Sequence, residues 1–149
     1  MKKTYRKAVF IVCYKKEESI KYLLLKRKLH WAGWEFPKGG IESRESLIQA
    51  VKREIKEETG QRAEKITKFK EAGKYEYDKE YEERKGTVGQ TYTLFAAELK
   101  SRKIKIDKRE HSEYNWSEYN KAEKILTWQD QKKCLEIVDN FLKREAAKK

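Results

Sequence analysis

Glu54, Glu57 and Glu58 lie close together in SLIQAVKREIKEETG, a segment whose apolar residues recur at helical spacing. With Glu54 at 0° on a helical wheel of about 100° per residue, Glu57 falls near 300° and Glu58 near 40°. Leu47, Val51, Ile55 and Ile48 occupy an arc from roughly 20° to 120°, with Lys52, Lys56 and Gln49 opposite. The three carboxylates therefore border the buried face and do not centre on the solvated one. Carboxylates crowded at a core margin repel one another and are poorly solvated unless a cation sits between them. Hard divalent ions with oxygen ligands suit that place, and Mg2+ held by few carboxylates plus substrate phosphate is the usual arrangement. The competing reading is a solvated acidic face, in a chain that also carries Glu17-Glu18 and Glu82-Glu83.

The surrounding residues 39–61 read GGIESRESLIQAVKREIKEETGQ. They fit G-x5-E-x7-R-E-U-x-E-E-x-G-U (U apolar) at Gly39, Glu45, Arg53, Glu54, Ile55, Glu57, Glu58 and Gly60, and only Gln61 departs. In a chain with 7 Gly, 21 Glu and 9 Arg, chance gives the Gly, Glu and Arg positions of this pattern with probability on the order of 10⁻⁵. The pattern is that of the Nudix box, and the chain resembles the Nudix hydrolases. That resemblance implies an α+β fold, an α/β/α sandwich with a mixed β-sheet core between helices. It also implies hydrolysis of a phosphoanhydride by attack of an activated water on phosphorus. By the same resemblance, Glu57 and Glu58 are metal ligands, Glu54 is a ligand or base, and Arg53 holds the helix carboxylates in place. Mg2+ is the expected cofactor, with Mn2+ an alternative.

The segment before the box, Trp34-Glu35-Phe36-Pro37-Lys38-Gly39-Gly40, resembles the W-x-F-P-[KQ]-G loop of many of these enzymes. Gly39 and Gly40 let backbone approach a metal or phosphate closely, and Pro37 stiffens the entry. In the resembling enzymes a backbone carbonyl at Lys38 or Gly39 completes the metal shell, and Lys38 with its basic neighbours meets the outer phosphates. Arg44 stands where a glycine often precedes the first box glutamate. Farther on, Glu110-His111-Ser112-Glu113-Tyr114-Asn115-Trp116 resembles a stretch of the diadenosine tetraphosphate hydrolase branch. There the leading glutamate reaches the metal site, which makes Glu110 a ligand or base, Glu113 the fallback, and His111 a phosphate contact. The tail LTWQDQKKCLEIVDNFL resembles the closing helix of that branch. His30 and His111 are the only histidines, and their surroundings suggest no Ser-His-Asp or Cys-His arrangement. Tyr75, Tyr77, Tyr81 and Tyr92 could stack a base, although aromatics on strands more often fill cores.

Elements that would position these residues follow from the apolar pattern. Residues 8–14 and 22–28 read as strands joined by a charged turn at 15–19. A helix is expected from Ser43 until Gly60, where glycine suits the left-handed position after a helix. Residues 61–85 are strand-like in pieces, with Tyr75, Tyr77 and Tyr81 sharing parity, and residues 91–99 form a nearly all-apolar strand. Residues 117–126 and 128–143 are expected to be helical, the second with Cys134, Leu135, Val138, Phe141 and Leu142 as its apolar stripe. No repeat or linker divides the chain, so residues 1–149 read as one domain.

Charged residues make up 42% of the chain and apolar ones 38%, a balance that raises disorder as an alternative. The 18 aromatic residues and the clustered apolar runs argue instead for a folded core. The net charge of +12 suits polyanionic partners such as nucleotides, polyphosphates or RNA, or reflects only a lysine-rich surface. Cys13 and Cys134 read as buried thiols of a reducing compartment. No stretch approaches the roughly 20 apolar residues of a membrane span, and the apolar run near the start lacks a small-residue cleavage site. A soluble, cytoplasmic protein without membrane contact is expected, its oligomeric state unread. For substrate, the first expectation is asymmetric cleavage of diadenosine tetraphosphate to ATP and AMP. An RNA 5′-pyrophosphohydrolase is second, supported by resemblance around Val88-Gly89-Gln90, and a nucleoside triphosphate pyrophosphatase is third. A catalytically silent nucleotide- or RNA-binding domain is the alternative of another class.

Overall fold

The computed structural model describes residues 3–77 and 85–148. Its centre is a run of apolar residues with no polar alternation, in β1 (Tyr5–Lys16). A strand can bury both faces only when both are covered, and this one does. Phe10, Val12 and Tyr14 enter one core cluster, while Val9, Ile11 and Cys13 enter the other. Its neighbour β6 (Gly89–Glu98) repeats the pattern, with Leu94 and Ala96 on one side and Phe95 and Ala97 on the other. These two strands pair in parallel, from Tyr5 opposite Gly89 to Tyr14 opposite Glu98.

The remaining strand-to-strand pairings among the described residues are antiparallel, so the sheet is mixed. Its order is β3 (Gly33–Glu35), β2 (Ile20–Arg27), β1, β6 and β5 (Lys65–Glu76). Off this path, β4 (Lys38–Gly40) pairs with β1 and β7 (His111–Ser117) with β2. Helix α1 (Leu47–Thr59) covers one face through Ala50, Val51 and Ile55. Helices α2 (Tyr119–Ile125) and α3 (Gln129–Ala147) cover the other through Ala122, Cys134, Leu135, Val138 and Leu142. Burial of Val51, Ile55, Leu135, Val138 and Leu142 contributes about 1.5–3 kcal/mol each. The α/β/α sandwich expected from the sequence is the observed fold. Both cysteines are free and buried, and no helix among the described residues is long and apolar enough to cross a membrane.

Several boundaries differ from expectation. Helix α1 starts at Leu47, not Ser43, because Ser46 is its N-cap. The Ser46 hydroxyl accepts the Gln49 N–H at 3.2 Å and the Gln49 carbonyl accepts the Ser46 N–H at 2.8 Å, a reciprocal capping box. Arg44 before it lies in the left-handed region at φ 66°, which explains why glycine suits that place in the resembling proteins. The helix ends at Gly60 with φ 78°, as expected. Ile48, placed on the apolar arc by the wheel, is 40% exposed, while Glu54 and Glu58 take part of the buried face. The segment Trp34–Gly40 runs from β3 through Phe36 and Pro37 into β4, β5 is one strand with a register shift between Lys68 and Ala72, and Tyr81 lies outside the described residues.

Candidate active site

The exit from β4 into α1 brings Arg53 back over the glycine segment. Its guanidinium binds Glu45 through both oxygens, with Nε at 2.7 Å from Oε2 and Nη2 at 2.9 Å from Oε1. The same group donates to Glu54 Oε1 at 2.6 Å, to Glu57 Oε2 at 3.3 Å and to the Gly40 carbonyl at 2.8 Å. One planar fork thus fixes three box glutamates, Glu45, Glu54 and Glu57, relative to the strand that faces them, a task a point-charge lysine could not perform. Glu57 stays at the rim, its side chain 55% exposed.

Glu54 and Glu58 turn inward and are buried. A Cβ at Gly39 would meet the Glu54 carboxyl at 2.1 Å, so the absence of a side chain there is what gives Glu54 its place. Burial pushes the Glu54 pKa up to about 7, against the pull of Arg53 and with help from the Glu57 and Glu110 charges. Burial likewise raises Glu58 well above the usual carboxylate range, and Glu54, Glu35 and Glu110 add to it. The Lys38 backbone N–H donates to Glu58 Oε2 at 3.0 Å, but Glu58 Oε1 is buried with no hydrogen-bond partner. An orphaned buried carboxylate oxygen is a place for a cation. The oxygen-rich donor set, clustered around this orphan, fits a hard divalent ion.

β7 brings Glu110 and His111 to the same place: one ligand atom each from Glu58, Glu110 and His111 lie within 4.8 Å of one another. Glu113 does not join them; it is exposed and pairs with Lys26 at 3.8 Å. His111 is fully buried, and its Nε2 sits 2.7 Å from Glu35 Oε2. The expected phosphate contact of His111 therefore meets a ring with no exposed surface. Glu35, which is not among the expected site residues, is itself fully buried. Arg27 reaches Glu35 at 3.3 Å and Glu110 at 3.7 Å, and Lys38 Nζ lies 3.6 Å from Glu35. Burial pushes the Glu35 pKa up, but Lys38, His111 and Arg27 together outweigh it and hold the carboxyl below its usual range. The Lys38 ammonium also lies 3.4 Å from the Tyr75 hydroxyl, which donates to Gln90 at 2.7 Å. Lys38 is thus committed to protein partners in this conformation.

Beside Glu110 opens a cavity of about 460 Å³, lined by Arg6, Arg27, Leu29, His30, Lys85, Thr87 and Glu110. Arg6 approaches so closely that a Cβ at Gly40 would meet its guanidinium at 2.2 Å. The carboxylate cluster therefore borders a basic hollow. At the far end of α1, Gln61 replaces the usual apolar residue with a polar latch. Its amide binds the Ser101 carbonyl at 2.7 Å, the Lys103 carbonyl at 2.8 Å and the Ser101 N–H at 3.2 Å, tying α1 to the approach to β7.

Residues 4–136 match the family model of the NUDIX domain. An RNA pyrophosphohydrolase of Nitratiruptor sp. is 32% identical over 114 residues, covering 73% of this chain and 74% of its own. Another RNA pyrophosphohydrolase, from Sulfurovum sp., is 29% identical over 154 residues, covering 95% of this chain and 96% of its own. Among solved structures, a C. elegans Ap4A hydrolase in a binary complex superposes with a TM-score of 0.73 at 27% identity, covering 92% of this chain and 97% of that one.

Proposed function

The chain belongs to the Nudix family, and on that premise we propose that it hydrolyses a phosphoanhydride bond at the 5′-polyphosphate end of RNA with the help of Mg2+. The observation that carries the proposal is Glu58: a buried carboxylate with an orphaned oxygen, next to Glu54 and Glu110 and at the edge of a basic cavity. Glu57, Glu58 and Glu110 would hold the cation, with Glu54 as a further ligand or the base. Bound there, a divalent ion would neutralise phosphate oxygens and make water a better nucleophile. The Lys38 N–H orients Glu58, and Gly39 seats Glu54. Arg53 holds Glu54 and Glu57 in place. Removal of the water proton falls to Glu54 or Glu110, of which Glu110 lines the cavity. Arg6, Arg27 and Lys85 in the cavity wall supply positive charge for the phosphates beyond the bond that breaks.

RNA moves ahead of diadenosine tetraphosphate, the first expectation from sequence, because both curated relatives above are RNA pyrophosphohydrolases. Asymmetric cleavage of diadenosine tetraphosphate remains the second reading, supported by the Ap4A hydrolase among the structural neighbours. Side-by-side kinetics at near-physiological salt, on a short 5′-triphosphorylated RNA, diadenosine tetraphosphate and nucleoside triphosphates, test both. The RNA should show the highest kcat/KM and an affinity that falls steeply with salt. A higher kcat/KM on diadenosine tetraphosphate reverses the order, and no product from any of them with Mg2+ removes the enzymatic reading.

A further inference from the structure

A histidine that holds a metal almost always donates its other ring N–H to a carboxylate or carbonyl, which fixes the ring and its tautomer. His111 has that arrangement on one side: its Nε2 lies 2.7 Å from Glu35 Oε2, and both residues are fully buried. On the other side its Nδ1 is buried with no hydrogen-bond partner. Glu58 Oε1 is orphaned in the same way, and the ligand atoms of Glu58, Glu110 and His111 fall within 4.8 Å of one another. We propose that His111 Nδ1 is a nitrogen ligand of the divalent metal, with Glu35 as its orienting carboxylate, so that this site favours Mn2+ over Mg2+. The proposal rests on the metal-hydrolase reading above and deepens it.

A stabilising buried ion-pair network is the competing account, and it covers only part of the cluster. Arg27 and Lys38 already balance the Glu35 charge, so stability alone gives no reason to bury an imidazole against Glu35 with its second nitrogen unpaired. With the Nε2 proton donated to Glu35, Nδ1 keeps its lone pair for a cation shared with Glu58 and Glu110. An imidazole ligand in an otherwise oxygen-lined site moves preference away from Mg2+ toward softer ions of the first transition row. Glu35 and His111 are 76 residues apart in sequence, and their pairing depends on β3 and β7 flanking the same strand, β2.

Pulsed electron paramagnetic resonance on the full chain loaded with Mn2+ alone reads the ligand directly. The expected spectrum carries modulation from one imidazole ¹⁴N, lost in His111→Gln and kept in His30→Gln, the other histidine of the chain. Calorimetry should show tighter binding of Mn2+ than of Mg2+, with the preference shrinking in His111→Gln. Bound Mn2+ without nitrogen modulation in the wild type overturns the His111 assignment and leaves the carboxylate metal site standing. Modulation that vanishes in His30→Gln assigns the nitrogen to the cavity histidine and also overturns it. Failure of Mn2+ and Mg2+ to bind at all removes the metal-hydrolase reading with it.

Discussion

Glu35 and Glu58 are both buried, yet they meet opposite environments. Glu35 has Arg27, Lys38 and His111 around it, and its pKa is held low. Glu58 has a single backbone N–H, other carboxylates nearby, and a pKa pushed well up. A buried charge is tolerated when the fold brings its own counter-charges, and it costs free energy when it does not. The first carboxylate is therefore part of the scaffold, and the second is the one we propose receives a cation from outside. The same chain of residues links them, since Lys38 binds Glu58 through its backbone and Glu35 through its ammonium.

Removing each carboxylate in turn should separate the two. Glu58→Gln keeps the shape and removes the charge proposed to hold the metal, so kcat should fall about 10³-fold, roughly 4 kcal/mol of transition-state stabilisation. Its metal-free melting temperature at neutral pH should stay level or rise, because the cost of burying a carboxyl that is ionised in the unfolded chain has gone. Steady-state kinetics and a thermal melt check both halves; a melt lowered as much as that of Glu35→Gln breaks the comparison. Glu35→Gln should behave in the opposite way. It strands Arg27 and Lys38 in the interior, and breaking one side of a buried pair costs about 3–5 kcal/mol, to be read by chemical denaturation.

A pH series sharpens the contrast. In the native metal-free state Glu54 binds its proton more tightly than in the unfolded chain, with a pKa near 7 against 4.5. Stability from this group is present below pH 4.5 and is lost as pH rises toward 7, a change of roughly 3 kcal/mol. Glu35 has the reverse sign: its contribution is present above its ordinary pKa and disappears as the solution becomes more acid. Melting temperatures without metal should thus decline between pH 4.5 and 7, and saturating Mg2+ should remove that decline. A metal-free profile that climbs over this range contradicts the Glu54 environment. The smallest effect belongs to the exposed pair Lys21–Glu118 at 2.9 Å. Glu118→Gln should leave the melting temperature unchanged within error, as expected for solvent-screened pairs.

These two carboxylates also show what a sequence reveals. Glu54 and Glu58 were legible because helical geometry is local: their angles beside Val51 and Ile55 place them at the core margin without any knowledge of the rest of the fold. The layered fold followed from similar local signals in β1, β6 and α3. Glu35 was not legible, although it lies in the Trp34–Gly40 segment, because two of its three partners lie 8 and 76 residues away. A buried acid in such a segment announces itself only by sitting between two large apolar residues, Trp34 and Phe36. The capping box at Ser46 and Gln49 was present in the letters and outweighed by the polar run before it. The exposure of Ile48 needed the tertiary fold, since nothing in the wheel says how far the sheet extends beneath the first turn.

The claim that Glu58 waits for a cation while Glu35 does not can be measured at the carboxyl carbons themselves. Side-chain ¹³C NMR titration of the glutamates, with and without Mg2+, reports both groups in one experiment. Without metal, Glu58 should titrate well above the ordinary carboxylate range and Glu35 below it. Added Mg2+ should bring the Glu58 titration down sharply and leave Glu35 where it was. A Glu58 curve in the ordinary range without metal, or one that Mg2+ does not move, would contradict the account.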